Sequence, residues 1–397
     1  MIETVKGFRD ILSKEALKRN YIKKLIEEKF SLYGFLPIET PTIEYEELLK
    51  TSNDDVVSDI FKLQDKGQRK LALRYEFTGQ LARLLKENPT LKLPFKRYQI
   101  GNVFRDEPAK PGRYREFTQC DVDIIGDSNI NSDAECLALA NDIFSELKIK
   151  VEIKINNRKL LNSIIKSLNI NETNLIIREI DKLDKLTIQE VKANISKITN
   201  KTDKLFSFFT KDIDYFVKNK FEGASELKEL MNICKNYKIK LKFYPNLARG
   251  FSYYTGNVFE IINDKYKFTI AAGGRYDKVV GKYLNREIPA VGISFGLDRI
   301  SEIAKIDIKP IKVLIISIAE DKKSIELVNQ LRKSKITTTI MFGKISKALE
   351  YANSYNIEYT IFIGKEEIKK KKFKLRDMKT GKEQFLTLTN LIKKLKS

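Results

Sequence analysis

Histidine is missing from this 397-residue chain. That excludes every Ser/His and Cys/His nucleophilic scheme and every histidine metal site. Cysteine is scarce: Cys120, Cys136 and Cys234 are odd in number and far apart. They supply neither a disulfide framework nor a zinc-ligand spacing, and are read as reduced and structural. No apolar run is long enough to span a bilayer. The N-terminus, with Glu3 and Asp10, lacks a signal-peptide apolar core, so a cytoplasmic protein with no membrane partner is expected. There is no GxGxxG at a strand-to-helix turn and no Walker lysine loop. Any chemistry is left to carboxylates, arginines, lysines, tyrosines or a substrate-borne metal.

What is present is charge. The formal net charge is +21, and 42% of residues are hydrophobic. The length suggests two or three domains with a large core. A positive excess favours polyanionic partners through counterion release, although a lysine-rich solvated surface accounts for part of it.

The densest signal is GRYREFTQCDVDIIG, 112–126. Strand alternation puts Phe117, Gln119, Asp121 and Asp123 on one face and Thr118, Cys120, Val122 and Ile124 on the other. Acidic residues are poor strand formers, so the first face is expected to line a polar cavity. NVFRDEP (102–108) precedes it, and the two segments read as an antiparallel pair around an arginine-rich loop suited to a phosphate-bearing substrate. Arginine is otherwise outnumbered by lysine, yet Arg105, Arg113, Arg115, Arg249, Arg275 and Arg299 sit in glycine- or aromatic-rich segments. A planar guanidinium binds phosphate bidentately; pairing with Asp106, Glu116 or Asp298 is the structural alternative. LARGFSYYTG (247–256) places Tyr253 and Tyr254 between Gly250 and Gly256, with Arg249 next to the first glycine. Glu76, in LALRYEFT, needs a partner if buried: a substrate ammonium, Arg74 or a backbone amide.

Helical spacing covers 14–33, a short strand follows at FLPIETP, and LALRYEF (71–77) reads as a strand before a helix to Leu85. A helix over 133–147 and a strand over 150–156 follow. Residues 157–237 read as a lysine- and asparagine-rich helical insertion. Strands return at 240–244 and 252–262, then come two glycine-dense segments, 269–281 and 289–300. From 312 the chain alternates strand and helix as a small mixed-sheet α/β domain. The fold class expected is α+β, with domains at 1–305 and 312–397.

Together these segments resemble the class II aminoacyl-tRNA synthetases, and within them the histidyl-tRNA synthetase family. GFLPIETP resembles the first class motif, FRDE through GRYREFTQCDVDIIG the second, and GISFGLDRI the third. LARGFSYYTG and AAGGRYDKVVG resemble signatures of the histidine enzymes, and the tail resembles their anticodon-binding domain. The resemblance implies a class II antiparallel sheet with flanking helices. It implies L-histidine, ATP and tRNA(His) as partners, Mg²⁺ bound mainly through ATP, and a homodimer. It further implies that Arg105 holds the α-phosphate, Glu107 lies near adenine, Arg113 and Arg299 grip the outer phosphates, and Phe117 stacks on the base. Arg249 would reach the reacting carboxylate, so Arg249, Arg105 and Arg299 are the catalytic candidates. Glu76, Thr78 and Gln119 would hold the amino group. Asp123 and Tyr254 would bracket the imidazole, with Tyr253 beside them. The family often has glutamate where this chain has Asp123, and an acidic residue where it has Ser252. The rivals are a non-catalytic paralogue, such as a regulatory subunit of ATP phosphoribosyltransferase, and an RNA-binding module.

Overall fold

The computed structural model describes residues 2–52, 58–109, 112–249, 253–266, 268–306, 308 and 311–396. Two compact units divide the chain: Met1–Ile11 with Arg19–Lys305, and Leu12–Lys18 with Ile306–Ser397. The division differs from the expected one in placing residues 12–18 with the second unit.

The first unit carries α1 (Ser13–Leu32, from Arg19), β1 (Leu36–Pro37), β2 (Ile43–Tyr45), α2 (Glu46–Ser52), β3 (Lys62–Gln64), β4 (Lys70–Leu73) and α3 (Thr78–Glu87). There follow β5 (Phe95–Phe104), β6 (Glu116–Ile125), α4 (Ile130–Glu146) and β7 (Val151–Asn157). Helices α5 (Arg158–Ser167), α6 (Thr173–Asp181), α7 (Ile188–Ser196), α8 (Thr202–Phe208), α9 (Ile213–Lys218) and α10 (Ala224–Asn236) fill the glycine-poor stretch. The unit closes with β8 (Leu241–Phe243), β9 (Asn257–Asn263), β10 (Thr269–Arg275), β11 (Ala290–Gly296) and α11 (Leu297–Ile303). Its main sheet has eight strands in the order β1-β5-β6-β11-β10-β9-β7-β8. The inner pairs are antiparallel, and only the edge pairs β1·β5 and β7·β8 are parallel. A smaller sheet, β2-β4-β3, lies beside it.

Period-two patterning sets the two faces of this sheet. On β6, Cys120, Val122 and Ile124 are buried in the core. Helices α1 and α4 supply the rings opposite: Phe30 and Phe144 lie 5.8 and 5.9 Å from Phe295 of β11. The other face of β6 carries Phe117, Gln119, Asp121 and Asp123 to a cleft. A strand polar on one side and apolar on the other is stable only between such a core and such a cleft.

The strand read over 71–77 ends at Leu73. The Arg74 guanidinium donates to the carbonyls of Thr40 (3.0 Å) and Asn102 (2.6 Å), and the chain turns there into α3. The strand at FLPIETP shrinks to two residues before Ile38. The small sheet and α2 were not anticipated, because strands of three or four residues are too short to show a period.

Two of the singled-out arginines are structural. Arg115 pairs with Asp106. Arg275 is buried against Asp133 of α4, donates from Nη1 to the Asp127 carbonyl (3.0 Å) and from Nη2 to the Asn129 carbonyl (3.2 Å). It therefore ties the start of α4 to β10. Removing one partner of a buried ion pair strands the other charge, at roughly 3–5 kcal/mol. Arg275→Met is accordingly expected to lower the unfolding free energy of this unit by an amount of that order, read as a lower denaturant midpoint at unchanged slope; an unchanged midpoint would contradict the assigned role.

The second unit contains β12 (Val313–Ser317), α12 (Asp321–Lys333), β13 (Thr338–Phe342), α13 (Ile345–Ser354), β14 (Tyr359–Ile363), α14 (Lys365–Lys370), β15 (Phe373–Asp377), β16 (Glu383–Leu386) and α15 (Leu388–Lys396). Its sheet runs β13-β12-β14-β15-β16, parallel across the first three strands and antiparallel beyond. The two central strands are buried along their whole length, as a sheet covered on both faces requires. Val313 and Ile315 pack with Leu327, Leu331 and Leu391, while Leu314 and Ile316 pack with Ala348 and Ala352.

Candidate active site

A cleft of about 540 Å³ opens on the polar face of β6. The turn into α3 brings Glu76 and Thr78, and the β5–β6 hairpin brings Arg105, Glu107 and Arg113. From β6 come Phe117, Gln119, Asp121 and Asp123. The segment before β9 supplies Arg249, Tyr253 and Tyr254, and the start of α11 supplies Arg299. All the site residues named from the resemblance thus line one cavity. Ser252, with Gly250, lies outside the described residues.

One end of the cleft is cationic. The Arg105 guanidinium lies 4.2 Å from the Tyr75 ring and 5.0 Å from the Phe117 ring. Among the described residues it has no carboxylate partner, and its Nε is buried without a hydrogen bond. Arg113 pairs with Glu107. Arg299 donates from Nη1 to the Thr269 carbonyl at 2.7 Å. Burial first, and then the neighbouring Arg113 and Arg105 cations, push Arg299 below the ordinary arginine value, with Glu302 opposing. Cations that disfavour one another's charge are relieved by an anion.

Arg249 bridges towards the other end. Its backbone is left-handed (φ 55°), a conformation disfavoured for a residue with a Cβ. Nη1 lies 3.2 Å from Glu260 Oε1, while Nε is buried and unpaired. Burial opposes its charge, but Tyr254, Glu260 and Asp181 outweigh burial and hold its pKa above the usual value.

The opposite end is acidic. Glu76 accepts from the Tyr253 hydroxyl at 3.3 Å. Burial pushes its pKa up, while Arg105 and hydrogen bonds from Tyr253, Gly79 and Thr78 pull it down. Its partners are thus Tyr253, a backbone amide and Thr78, and Arg74 is engaged elsewhere. Asp123 is buried against the fully buried Arg97 and accepts from the Tyr276 hydroxyl. Gly292 faces Asp123 across the β6–β11 ladder, and a Cβ there would collide with the Asp123 carboxylate. Tyr254 packs against Gly274, where a Cβ would come within 2.9 Å of the ring. The Tyr253 ring is 4.9 Å from Tyr254 and 5.7 Å from Tyr276. Gln119 Nε2 donates to Ser294 Oγ at 2.5 Å.

Behind the cleft, Asp298 anchors the wall. It accepts from Arg9 (3.0 Å), from Arg19 (2.6 Å) and from the Thr118 amide (2.8 Å). These bonds fix the start of α11, and so Arg299, to β6.

Sequence reasoning did not single out Arg97, Glu260, Ser294, Lys154 or Lys185, the last four of which line the cleft. Tyr276 was read only as part of a glycine-rich turn. For Arg97 a signal existed. The hairpin register that pairs Phe104 with Glu116, carried seven steps along, sets Arg97 opposite Asp123.

A cleft with clustered guanidiniums at one end and buried carboxylates and tyrosines at the other, on an antiparallel sheet, was the expectation drawn from the class II motifs. A family model for histidyl-tRNA synthetase matches residues 7–300, and one for an anticodon-binding domain matches residues 312–397. The chain belongs to the histidyl-tRNA synthetase family. It is 37% identical to histidine–tRNA ligase 1 of a Bacillus cereus strain, covering 98% of this chain and 96% of that one. It is 34% identical to the histidine–tRNA ligase of Helicobacter pylori, covering 96% and 94%. The histidyl-tRNA synthetase structure from Nostoc sp. PCC 7120 superposes with a TM-score of 0.88 at 28% identity, covering 100% of this chain and 99% of that one. A structure from Bacillus halodurans, described as an ATP phosphoribosyltransferase regulatory subunit/histidyl-tRNA synthetase, shares the fold at a TM-score of 0.80 and 23% identity, covering 91% of this chain and 98% of that one.

Asp121 stands out among the carboxylates of the cleft. Burial, aided by Asp123 and Glu76 and opposed by Arg97 and a hydrogen bond with Ser294, pushes it up from 3.8 to about 7. A carboxyl that is a weaker acid in the folded state favours folding while protonated. That contribution declines as pH rises from about 4 to about 7, then levels off, at roughly 1.4 kcal/mol per unit at most. Asp121→Asn removes the titration. The stability of Asp121→Asn relative to the parent is therefore expected to rise across that window in denaturant melts; a difference independent of pH would contradict the assignment.

Proposed function

We propose that this chain is a histidine–tRNA ligase that activates L-histidine with ATP and transfers it to the 3′ end of tRNA(His). The observation that carries this reading is the polarity of the cleft. Arg105, Arg113 and Arg299 form an end fit for a polyphosphate, and Glu76, Asp123 and the tyrosines form an end fit for an ammonium and an imidazole. Arg249 lies between them and is suited to the substrate carboxylate.

In this reading the histidine carboxylate attacks the α-phosphorus of ATP in line, giving histidyl-adenylate and releasing pyrophosphate. Charge developing at phosphorus is met by Arg105 and Arg249, positioned before the reaction begins. Arg113 and Arg299 hold the outer phosphates, Glu107 lies near the adenine and Phe117 stacks on it. Fixing both reactants supplies roughly 7–11 kcal/mol of the barrier. The acyl group then passes to the terminal adenosine of the tRNA. Neither step calls for a histidine on the protein. Mg²⁺ is proposed to enter with the nucleotide. There it would be coordinated mainly by phosphate oxygens and would neutralise part of their charge.

Glu76, Thr78 and Gln119 are proposed to hold the amino group, with Tyr253 orienting Glu76. Asp123 and Tyr254 are proposed to bracket the imidazole. The shorter reach of Asp123 compared with glutamate is compensated by the Tyr276 hydroxyl and Arg97, which fix its carboxylate. A site pairing with both ring nitrogens rejects analogues lacking them by roughly 10⁴–10⁵. The unit matched by the anticodon-binding model is proposed to bind tRNA, and the working form is proposed to be a cytoplasmic homodimer. Among the described residues no helix is long and apolar enough to cross a membrane. The retained Arg105, Arg249 and Arg299, with the anticodon-type unit, favour this reading over a non-catalytic paralogue.

Purified protein is expected to catalyse ATP–pyrophosphate exchange that depends on L-histidine. Exchange with no amino acid would defeat the enzyme reading, and exchange driven only by another amino acid would defeat the specificity. Arg249→Lys keeps a charge but loses the bidentate fork. It should lower kcat for exchange by roughly 10²–10³, the range for loss of one preorganised donor, with an unaltered circular dichroism spectrum. Near-parental exchange would remove Arg249 from its role.

A further inference from the structure

The amino-group site, as read from the family, uses Glu76, Thr78 and Gln119. The structure places a further acid at that end, one oxygen of which has no hydrogen-bond partner among the described residues. Asp121 is 6% exposed and lines the cleft, and its Oδ1 makes no hydrogen bond among the described residues. Gln119, two residues back on the same strand face, also leaves its Oε1 buried and unbonded. Both are acceptors. Acceptors left unmet in a dry site cost free energy that a donor recovers.

Charge narrows the identity of that donor. Glu76 and Asp123 both lie within electrostatic reach of Asp121; Arg97 is paired with Asp123 and Arg105 acts on Glu76. Two protein cations face three carboxylates, and Arg105 is shared with the phosphate end; a bound cation makes up the difference. Two neighbouring free acceptors call for a group with more than one N–H. The substrate's ammonium has three. Its other cationic part, a protonated imidazole, is already matched by the Asp123 end. Strand geometry agrees: Asp121 stands between Gln119 and Asp123, each step of two residues advancing roughly 6.6–6.8 Å. An amino acid with its ring at Asp123 passes its α-carbon over Asp121.

We propose that Asp121 is a substrate-binding residue whose Oδ1, beside Gln119 Oε1, accepts a hydrogen bond from the α-ammonium of the bound amino acid. The proposal rests on the reading of this cleft as a histidine-activating site. Ser294 faces Asp121 across the β6–β11 ladder and accepts from Gln119, and Oδ1 is left to the ligand. The α-ammonium is thereby recognised by two acids, Glu76 and Asp121, on different elements.

The test is histidine-dependent pyrophosphate exchange by full-length Asp121→Asn, with direct binding of histidine and of imidazolepropionate, which lacks the amino group. Asparagine is isosteric and removes a buried charge, so the variant is expected to fold; thermal unfolding checks this, and Asp121→Ser provides a second variant. KM for histidine should rise roughly 10- to 150-fold, the range for a lost charge-assisted hydrogen bond, while KM for ATP stays within about twofold of the parent. Imidazolepropionate should bind parent and variant alike. A parental KM for histidine in either folded variant overturns the proposal, as does equal weakening of histidine and imidazolepropionate. If the parent itself shows no histidine-dependent exchange, the underlying reading fails first and takes this one with it.

Discussion

Burial of clustered guanidiniums, with their mutual repulsion, governs one end of the cleft. Arg105 makes no ion pair among the described residues, Arg113 has Glu107, and Arg299 is weakened as a base by burial and then by both neighbours. At the other end Glu76, Asp121 and Asp123 are starved of water, and burial drives each towards protonation. Neither end is at its electrostatic best in isolation. A ligand carrying phosphates at one end and an ammonium at the other relieves both, and that complementarity is the physical core of the account.

The scaffold tolerates this imbalance because it is tied down by ion pairs in and behind the wall of the cleft. Arg97 holds Asp123, Arg275 holds Asp133, and Asp298 gathers Arg9, Arg19 and the Thr118 amide. Each joins elements distant in sequence. Together they fix β6 between β5 and β11, whose aromatic and aliphatic side chains pack against α1 and α4. Glycines at 274 and 292 let Tyr254 and Asp123 occupy space that any side chain would fill.

Much of the site could be read along the chain because it depends on local periodicity. The alternation of Phe117, Gln119, Asp121 and Asp123 needs only that β6 be a strand. The strand and helix alternation from 312 onwards was likewise legible as a small mixed-sheet α/β domain. What escaped depends on pairing across distance. Arg97 is intelligible only once it is set opposite Asp123, and Arg275 resembled a ligand-facing arginine until Asp133, 142 residues away, was found against it. Tyr276, which carries the hydroxyl on Asp123, was read only as part of a glycine-rich turn. The strand read through Phe77 failed because the Arg74 side chain captures two carbonyls and turns the chain.

The helical stretch between α5 and α10 reaches the chemistry through Asp181, at the end of α6, which raises the pKa of Arg249 from a small cavity that both line. That stretch is therefore continuous with the wall of the site. The most direct test of the central claim is a crystal structure of the protein with ATP and histidinol, which keeps the ammonium and imidazole but cannot react. The account predicts the α-phosphate against Arg105, the outer phosphates against Arg113 and Arg299, and the imidazole between Asp123 and Tyr254. A nucleotide bound away from Arg105 and Arg299, or an imidazole that leaves Asp123 without contact, would contradict it.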